Sequence, residues 1–286
     1  MDTPQTSAST PENIQWHSAF FQAIQAELID YKDILEFKQE HPLTTEPLRI
    51  DTIIIVKPSD VTIDKNIARI FKKINILEYK SPQDYLSIKD FYKAYAYVAL
   101  FAALTADVEM GDMTLTFVGN TYPRKLIRYL KEVRHYRVEE VESGIHYVKG
   151  DYLPIQILET KKLGTNKDGG SSANWVLKYL NRGLEREEMS RILKKSKELI
   201  EAAPLDAYLY ALIQANLKAF EEVTKMTKDR MTVEDVLMRT GILPKWIRLG
   251  REEVARNLLK KGWTIEETAE VAELDIGKIR ALSASL

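Results

Sequence analysis

Three ionisable residues stand at the ends of two apolar runs. Asp51 opens the run Thr52-Ile53-Ile54-Ile55-Val56, and Glu78 and Lys80 close the run Ile74-Asn75-Ile76-Leu77. Short apolar runs rich in β-branched residues read as buried strands. Side chains two apart on a strand point to one face, so Glu78 and Lys80 share a face and Tyr79 points away. If the two strands are neighbours, two carboxylates and an ammonium meet at one place. Carboxylate oxygens suit a hard divalent cation such as Mg2+. A cation held there, with the ammonium beside it, can activate a water against a phosphodiester. The plainer reading is a salt-bridge cluster at strand ends, which contributes little when exposed.

An Asp, a gap and then Glu-x-Lys is the pattern of the PD-(D/E)xK nucleases, and the chain resembles that superfamily. The stretch EPLRIDTIIIVKPSD…IDKNIARIFKKINILEYKSPQDYLSIKDFYKAYAYVALFAALT is similar to its transposase-associated branch, relatives of the recombination-promoting nucleases. The likeness covers residues 16 to 160, with a weaker echo at the C-terminus. Ile50 stands where the pattern's name has proline, and the acid after it is kept.

The resemblance implies a restriction-endonuclease-like α/β core, a mixed central sheet flanked by helices. It implies Asp51 and Glu78 as ligands of Mg2+, for which Mn2+ can substitute, with the Tyr79 carbonyl as a further ligand. Lys80 would orient or help deprotonate the water, or neutralise the transition state. A further acid from the first helix often completes such a site, and Glu27 is its natural candidate here. Glu36, Glu40 and Glu46 compete, and each also reads as a solvated charge. The implied activity is endonucleolytic hydrolysis of DNA leaving a 5′-phosphate, linked to transposition or recombination. The alternatives are a catalytically inactive DNA-binding or assembly protein on a nuclease fold, and a helical interaction protein whose core is a scaffold.

Composition bounds these readings. The chain has 286 residues, 45% hydrophobic and 29% charged, as in ordinary globular proteins. Without cysteine it has no disulfide, thiolate zinc site or cysteine nucleophile, and a reducing cytoplasm is the expected location. His17, His41, His135 and His146 are scattered, without metal-ligand spacing. The net charge of −1 speaks against a broad basic coat but leaves room for a local basic wall. No stretch approaches the ~18 apolar residues of a membrane span, so no membrane partner is expected.

The elements that would position these residues follow from periodicity. Residues 1–15 are polar, read as a disordered tail, and lack the features of a secretory signal. Residues 17–33 read as a helix, 35–43 as a strand, 64–73 as a short helix capped by Asp64, and 88–104 as a long helix. On that helix Phe91, Tyr95, Val98 and Ala102 are the expected packed face. Strands are expected at 114–118, 136–141, 145–148 and 155–160, with a helix at 123–133 opened by Pro123. The nuclease-like domain is set at 16–163, the Gly-rich linker at 164–173 and an all-helical region at 174–286. In that region Thr264-x-x-Glu267 forms a capping box, Gly262 ends one helix and Asp275 caps another. The short tandem helices resemble a helix-turn-helix, for DNA reading or for subunit association as a homodimer.

Two basic faces could meet DNA. Lys89 and Lys93 share one face of the helix over 88–104, with Tyr92 and Tyr95 nearby. Arg124, Arg128 and Lys131 line up on the next helix. Phosphates are their functional use, and a solvated face is the alternative.

Overall fold

The computed structural model describes residues 14–39, 52–58, 61–164, 173–199, 203–226, 238 and 242–284. Asp51, Glu40 and Glu46 lie outside the described residues, as does the linker core, residues 165–172.

Apolar runs bounded by turns pair into one seven-stranded sheet of order β1-β2-β3-β4-β7-β6-β5. The strands are β1 (Glu36–Gln39), β2 (Thr52–Val56), β3 (Ile74–Tyr79), β4 (Met113–Gly119), β5 (Arg137–Glu142), β6 (Ile145–Lys149) and β7 (Ile155–Glu159). β3, β4 and β7 are mutually parallel, while β1, β2, β6 and β5 join in antiparallel fashion. The fold is therefore α/β with a mixed sheet. Every residue of β3 and β4 is buried, as continuous apolar strands in a covered parallel sheet should be.

Helices α2 (Ile88–Leu104) and α3 (Arg124–Glu132) cover one face. Phe91, Val98 and Phe101 of α2 and Leu126 and Leu130 of α3 pack there on Ile54, Ile76, Leu115, Phe117 and Ile157. Each such side chain contributes roughly 1.5–3 kcal/mol by leaving water. Phe91 and Val98 are buried as expected, whereas Tyr95 and Ala102 are only partly so. α3 begins at Arg124 and Pro123 occupies its N-cap.

The opposite face carries α1 (Trp16–Glu27), against which α4 (Trp175–Tyr179) and α6 (Asp206–Ala215) pack. α5 (Arg186–Leu199) links them, and α7 is Leu217–Met226. Tyr79 points to this side and stacks on Phe20 at 4.2 Å. Polar staples fix the strands here. Buried Asn75 donates to the carbonyls of Ile55 (3.0 Å) and Lys72 (2.7 Å), and accepts from Thr114 Oγ1 (2.7 Å). Gln156 donates to Thr116 Oγ1 (2.9 Å) and to the Ile67 carbonyl (2.7 Å).

Those staples explain one departure from the periodicity. The helix expected over 64–73 is only a 3₁₀ turn, Asn66–Ala68, without a side-chain cap from Asp64. Lys65 reaches the Ala173 carbonyl (2.5 Å) and Asn66 donates to Glu142 (2.7 Å), so long-range bonds replace local helical ones. The first helix likewise ends at Glu27, with a 3₁₀ turn at Ile29–Tyr31.

The domain boundary also lies elsewhere than the Gly-rich linker. The chain divides into two compact units between Phe220 and Glu221, because α4 and α6 belong to the sheet unit. The second unit contains α8 (Ile242–Lys260), α9 (Ile265–Ala272) and α10 (Ile276–Ala284), packed around Ala255, Ala269, Ala272, Ile279 and Leu282. The Thr264/Glu267 capping box is formed, Gly262 adopts φ +87°, and the Asp275 carboxylate accepts from Gly277 N–H at 2.8 Å. Among the described residues no helix is long and apolar enough to cross a membrane.

Candidate functional site

The carboxyl ends of parallel strands are where α/β sheets place their ligands. β3 ends there with Glu78 and Lys80. Glu78 alternates with Ile74 and Ile76, which pack under α2, so its carboxylate lies on the α2 side, opposite Tyr79. It is 0% exposed. Lys80 Nζ lies 3.2 Å from Glu78 Oε1 and 2.9 Å from Asp90 Oδ1. Glu78 and Lys80 do share a face.

Strand spacing does not point to Asp90. It sits in the first turn of α2 and closes a capping box with Ser87, accepting from the Ser87 amide at 2.8 Å and hydroxyl at 2.6 Å. One carboxylate thus fixes the start of α2 and holds Lys80. The pattern Ser87-x-x-Asp90 is legible in sequence, but its reach to Lys80 is not. Burial works against the Lys80 charge, yet the Asp90 hydrogen bond and the charges of Glu78 and Asp90 outweigh it. The ammonium is therefore held above its ordinary value. Burial also opposes ionisation of Asp90, and the Ser87 and Lys80 hydrogen bonds outweigh it, holding this carboxyl below its ordinary value.

Thr52 is the register partner of Glu78, and Asp51 directly precedes Thr52 in sequence. Among the described residues no three His, Asp or Glu side chains form a metal-sized cluster. Among the described residues, the carboxylates of Glu78 and Asp90 meet at Lys80 on this edge.

Glu27 is engaged elsewhere. It is buried, pairs with Lys65 Nζ at 2.8 Å, and accepts from the backbone amides of Val176 (2.6 Å) and Leu177 (3.0 Å). It ties α1 to the first turn of α4 on the Tyr79 side, and these contacts correct its reading as the site's further acid. Glu36 is exposed on β1 and pairs with Lys38 at 3.3 Å.

A cleft of about 760 Å³ opens at the carboxyl ends of β4 and β7. Its lining includes Tyr85, Tyr122, Arg124, Glu140, His146 and Glu159. Glu159 ends β7 and pairs with Lys162 at 3.0 Å. His146 Nε2 lies 3.7 Å from Glu159, and the His146 ring meets Tyr122 edge-on at 5.1 Å. Burial pushes the His146 imidazole below its ordinary value against the pull of Glu140 and Glu159. The strand ending Ile157-Leu158-Glu159 was the available sequence signal.

Of the basic residues, Lys93 on α2 and Arg124, Arg128 and Lys131 on α3 are all exposed. α2 and α3 lie side by side, joined at their surface by the Tyr92 and Tyr129 hydroxyls. In the second unit Lys278 is engaged by Glu252 at 3.3 Å. Compared with known proteins, the chain matches no family model, no curated protein and no solved structure.

Proposed function

We propose that the chain is a Mg2+-dependent DNA endonuclease on a restriction-endonuclease-like core. The observation that carries this reading is Glu78 and Lys80 converging, 3.2 Å apart, at the carboxyl end of a buried central strand. The register partner of Glu78 is the residue that follows Asp51. Carboxylate oxygens are the ligands that a hard divalent cation takes.

Glu78 and Asp51 would hold the cation, and Mn2+ would serve in place of Mg2+. When bound there, it would supply Lewis-acid neutralisation of phosphodiester charge. Before a cation binds, its two acidic partners favour the Lys80 ammonium, which would orient the attacking water and offset charge on the phosphorane. Asp90 positions Lys80 from the start of α2. The exposed row Arg124, Arg128 and Lys131, with Lys93 on the neighbouring helix, would bind backbone phosphates. The three helices of the second unit read as helix-turn-helix-like, serving DNA contact or homodimer formation. Transposition or recombination is the setting that the sequence resemblance suggests, and the cysteine-free composition suits a reducing cytoplasm.

One observation favours a second reading, a non-enzymatic DNA-binding protein on the same core. Glu78 is wholly buried and Lys80 is already neutralised by two acids. Titration with Mn2+, read by electron paramagnetic resonance, separates the two. The nuclease reading expects wild-type binding that is lost in Glu78→Gln and in Asp51→Asn. No Mn2+ binding by folded wild type would put the second reading first.

A further inference from the structure

We propose that the cleft beside the Glu78–Lys80 edge takes one unstacked nucleotide of the DNA strand. The inference rests on the nuclease reading for its substrate and deepens it. The cleft lies at the same carboxyl edge, since β3, β4 and β7 are parallel and Glu78 is level with Phe117 and Ile157, two residues before Gly119 and Glu159 end their strands. Its volume of about 760 Å³ suits a nucleotide-sized ligand, within the usual ~300–1,000 Å³ of small-ligand sites.

Its chemistry has the parts a nucleotide needs. Two aromatic rings are present. Tyr85 is 43% exposed, and its hydroxyl is held by the Lys125 amide at 3.2 Å, so an open ring face is offered in a fixed place. Tyr122 is braced by His146 and by Lys162, whose ammonium lies 5.8 Å from the ring centroid. Base–aromatic stacking is the sequence-tolerant way to hold an extruded base. Arg124 makes no ion pair among the described residues and borders the cleft, where it can meet a phosphate. At the floor, His146 and Glu159 are more than nine-tenths buried. Together with Glu140 they offer polar groups to a base edge that has left its pair. A base paired and stacked within a duplex cannot present that edge.

The test is binding in Ca2+ buffer, which supplies an oxygen-seeking cation and avoids dependence on turnover. A duplex carrying one unpaired 2-aminopurine, the same duplex fully paired, and free deoxyadenosine monophosphate are compared by 2-aminopurine fluorescence and competition. The unpaired site should bind about tenfold tighter than the paired one, with quenched fluorescence. Tyr85→Leu and Tyr122→Leu, checked as folded by circular dichroism, should each erase most of that difference. Arg124→Ala should weaken both DNAs. Equal wild-type affinity for the two duplexes, or quenching unchanged in both tyrosine variants, overturns the proposal. Competition by the free nucleotide as strong as by the unpaired duplex also overturns it, in favour of a free-nucleotide site. If wild type nicks DNA in Mg2+ yet shows no preference here, the cleft proposal alone falls. If the preference appears without nicking, the nuclease reading falls and the cleft stands.

Discussion

Lys80 is held by two carboxylates, Glu78 at 3.2 Å and Asp90 at 2.9 Å. Strand alternation suffices to bring it to Glu78, because that contact is local. Its second partner, Asp90, depends on how α2 packs, which no spacing encodes. From sequence alone Lys80 is an exposed strand-end charge of little structural consequence. In the structure its side chain is 19% exposed and pairs a fully buried carboxylate. Removing one partner of a buried pair strands the other, so Lys80→Met should cost up to about 3 kcal/mol in EDTA. Mg2+ should restore part of the lost melting temperature, because a cation can take over the charge of Glu78. Glu27 teaches the same lesson. Its partners Lys65, Val176 and Leu177 are remote in sequence, so its carboxylate reads as free until the fold is seen. Glu27→Gln should lower the melting temperature, by roughly 3 kcal/mol of stability, while leaving Mn2+ affinity unchanged. His146 sets a pH dependence. Its folded value lies below the ordinary one, so as pH falls below about 6.5 the unfolded chain takes up a proton that the folded chain refuses. Stability should therefore drop between pH 7.5 and 5.5, and thermal melts of His146→Gln should show a smaller drop than wild type.

At the scale of elements, long periodic segments are legible and short ones are not. The helix over 88–104 is found as the spacing predicts, because its apolar stripe and its Ser87 cap agree. Ser87→Ala should cost about 1 kcal/mol, and should also loosen Asp90 from Lys80. Thermal melts read the first effect. An upward-shifted Asp90 carboxyl titration, followed by NMR, would read the second, since Ser87 hydrogen bonds help to hold that group down. Residues 64–73 carry the right apolar spacing for a helix but spend their polar groups on Gln156, Glu142 and Ala173. Tertiary hydrogen bonding wins over a weak local preference there.

For the whole molecule, composition hides the true boundary. A polar Gly-rich stretch looks like a domain linker, yet α4 and α6 beyond it cover α1. Arg182 lies over Trp16 at 5.6 Å, and Gln22 accepts from the Tyr208 amide at 3.0 Å. A fragment ending at residue 163 would lose this cover and the amide donors of Glu27. It should be insoluble or poorly cooperative in thermal melts, whereas a fragment ending at residue 226 should fold. Equal melts for the two would show that α4 and α6 are dispensable. Plasmid nicking tests most directly the chemistry proposed at the edge of β3. Wild type should nick supercoiled DNA in Mg2+ or Mn2+ and not in EDTA. Lys80→Met, confirmed as folded in the assay buffer, should be slower by roughly 10²–10³-fold, the usual worth of one group that stabilises transition-state charge. Glu78→Gln should be at least as impaired. Nicking by Lys80→Met and Glu78→Gln at the wild-type rate would place the chemistry elsewhere and contradict the account.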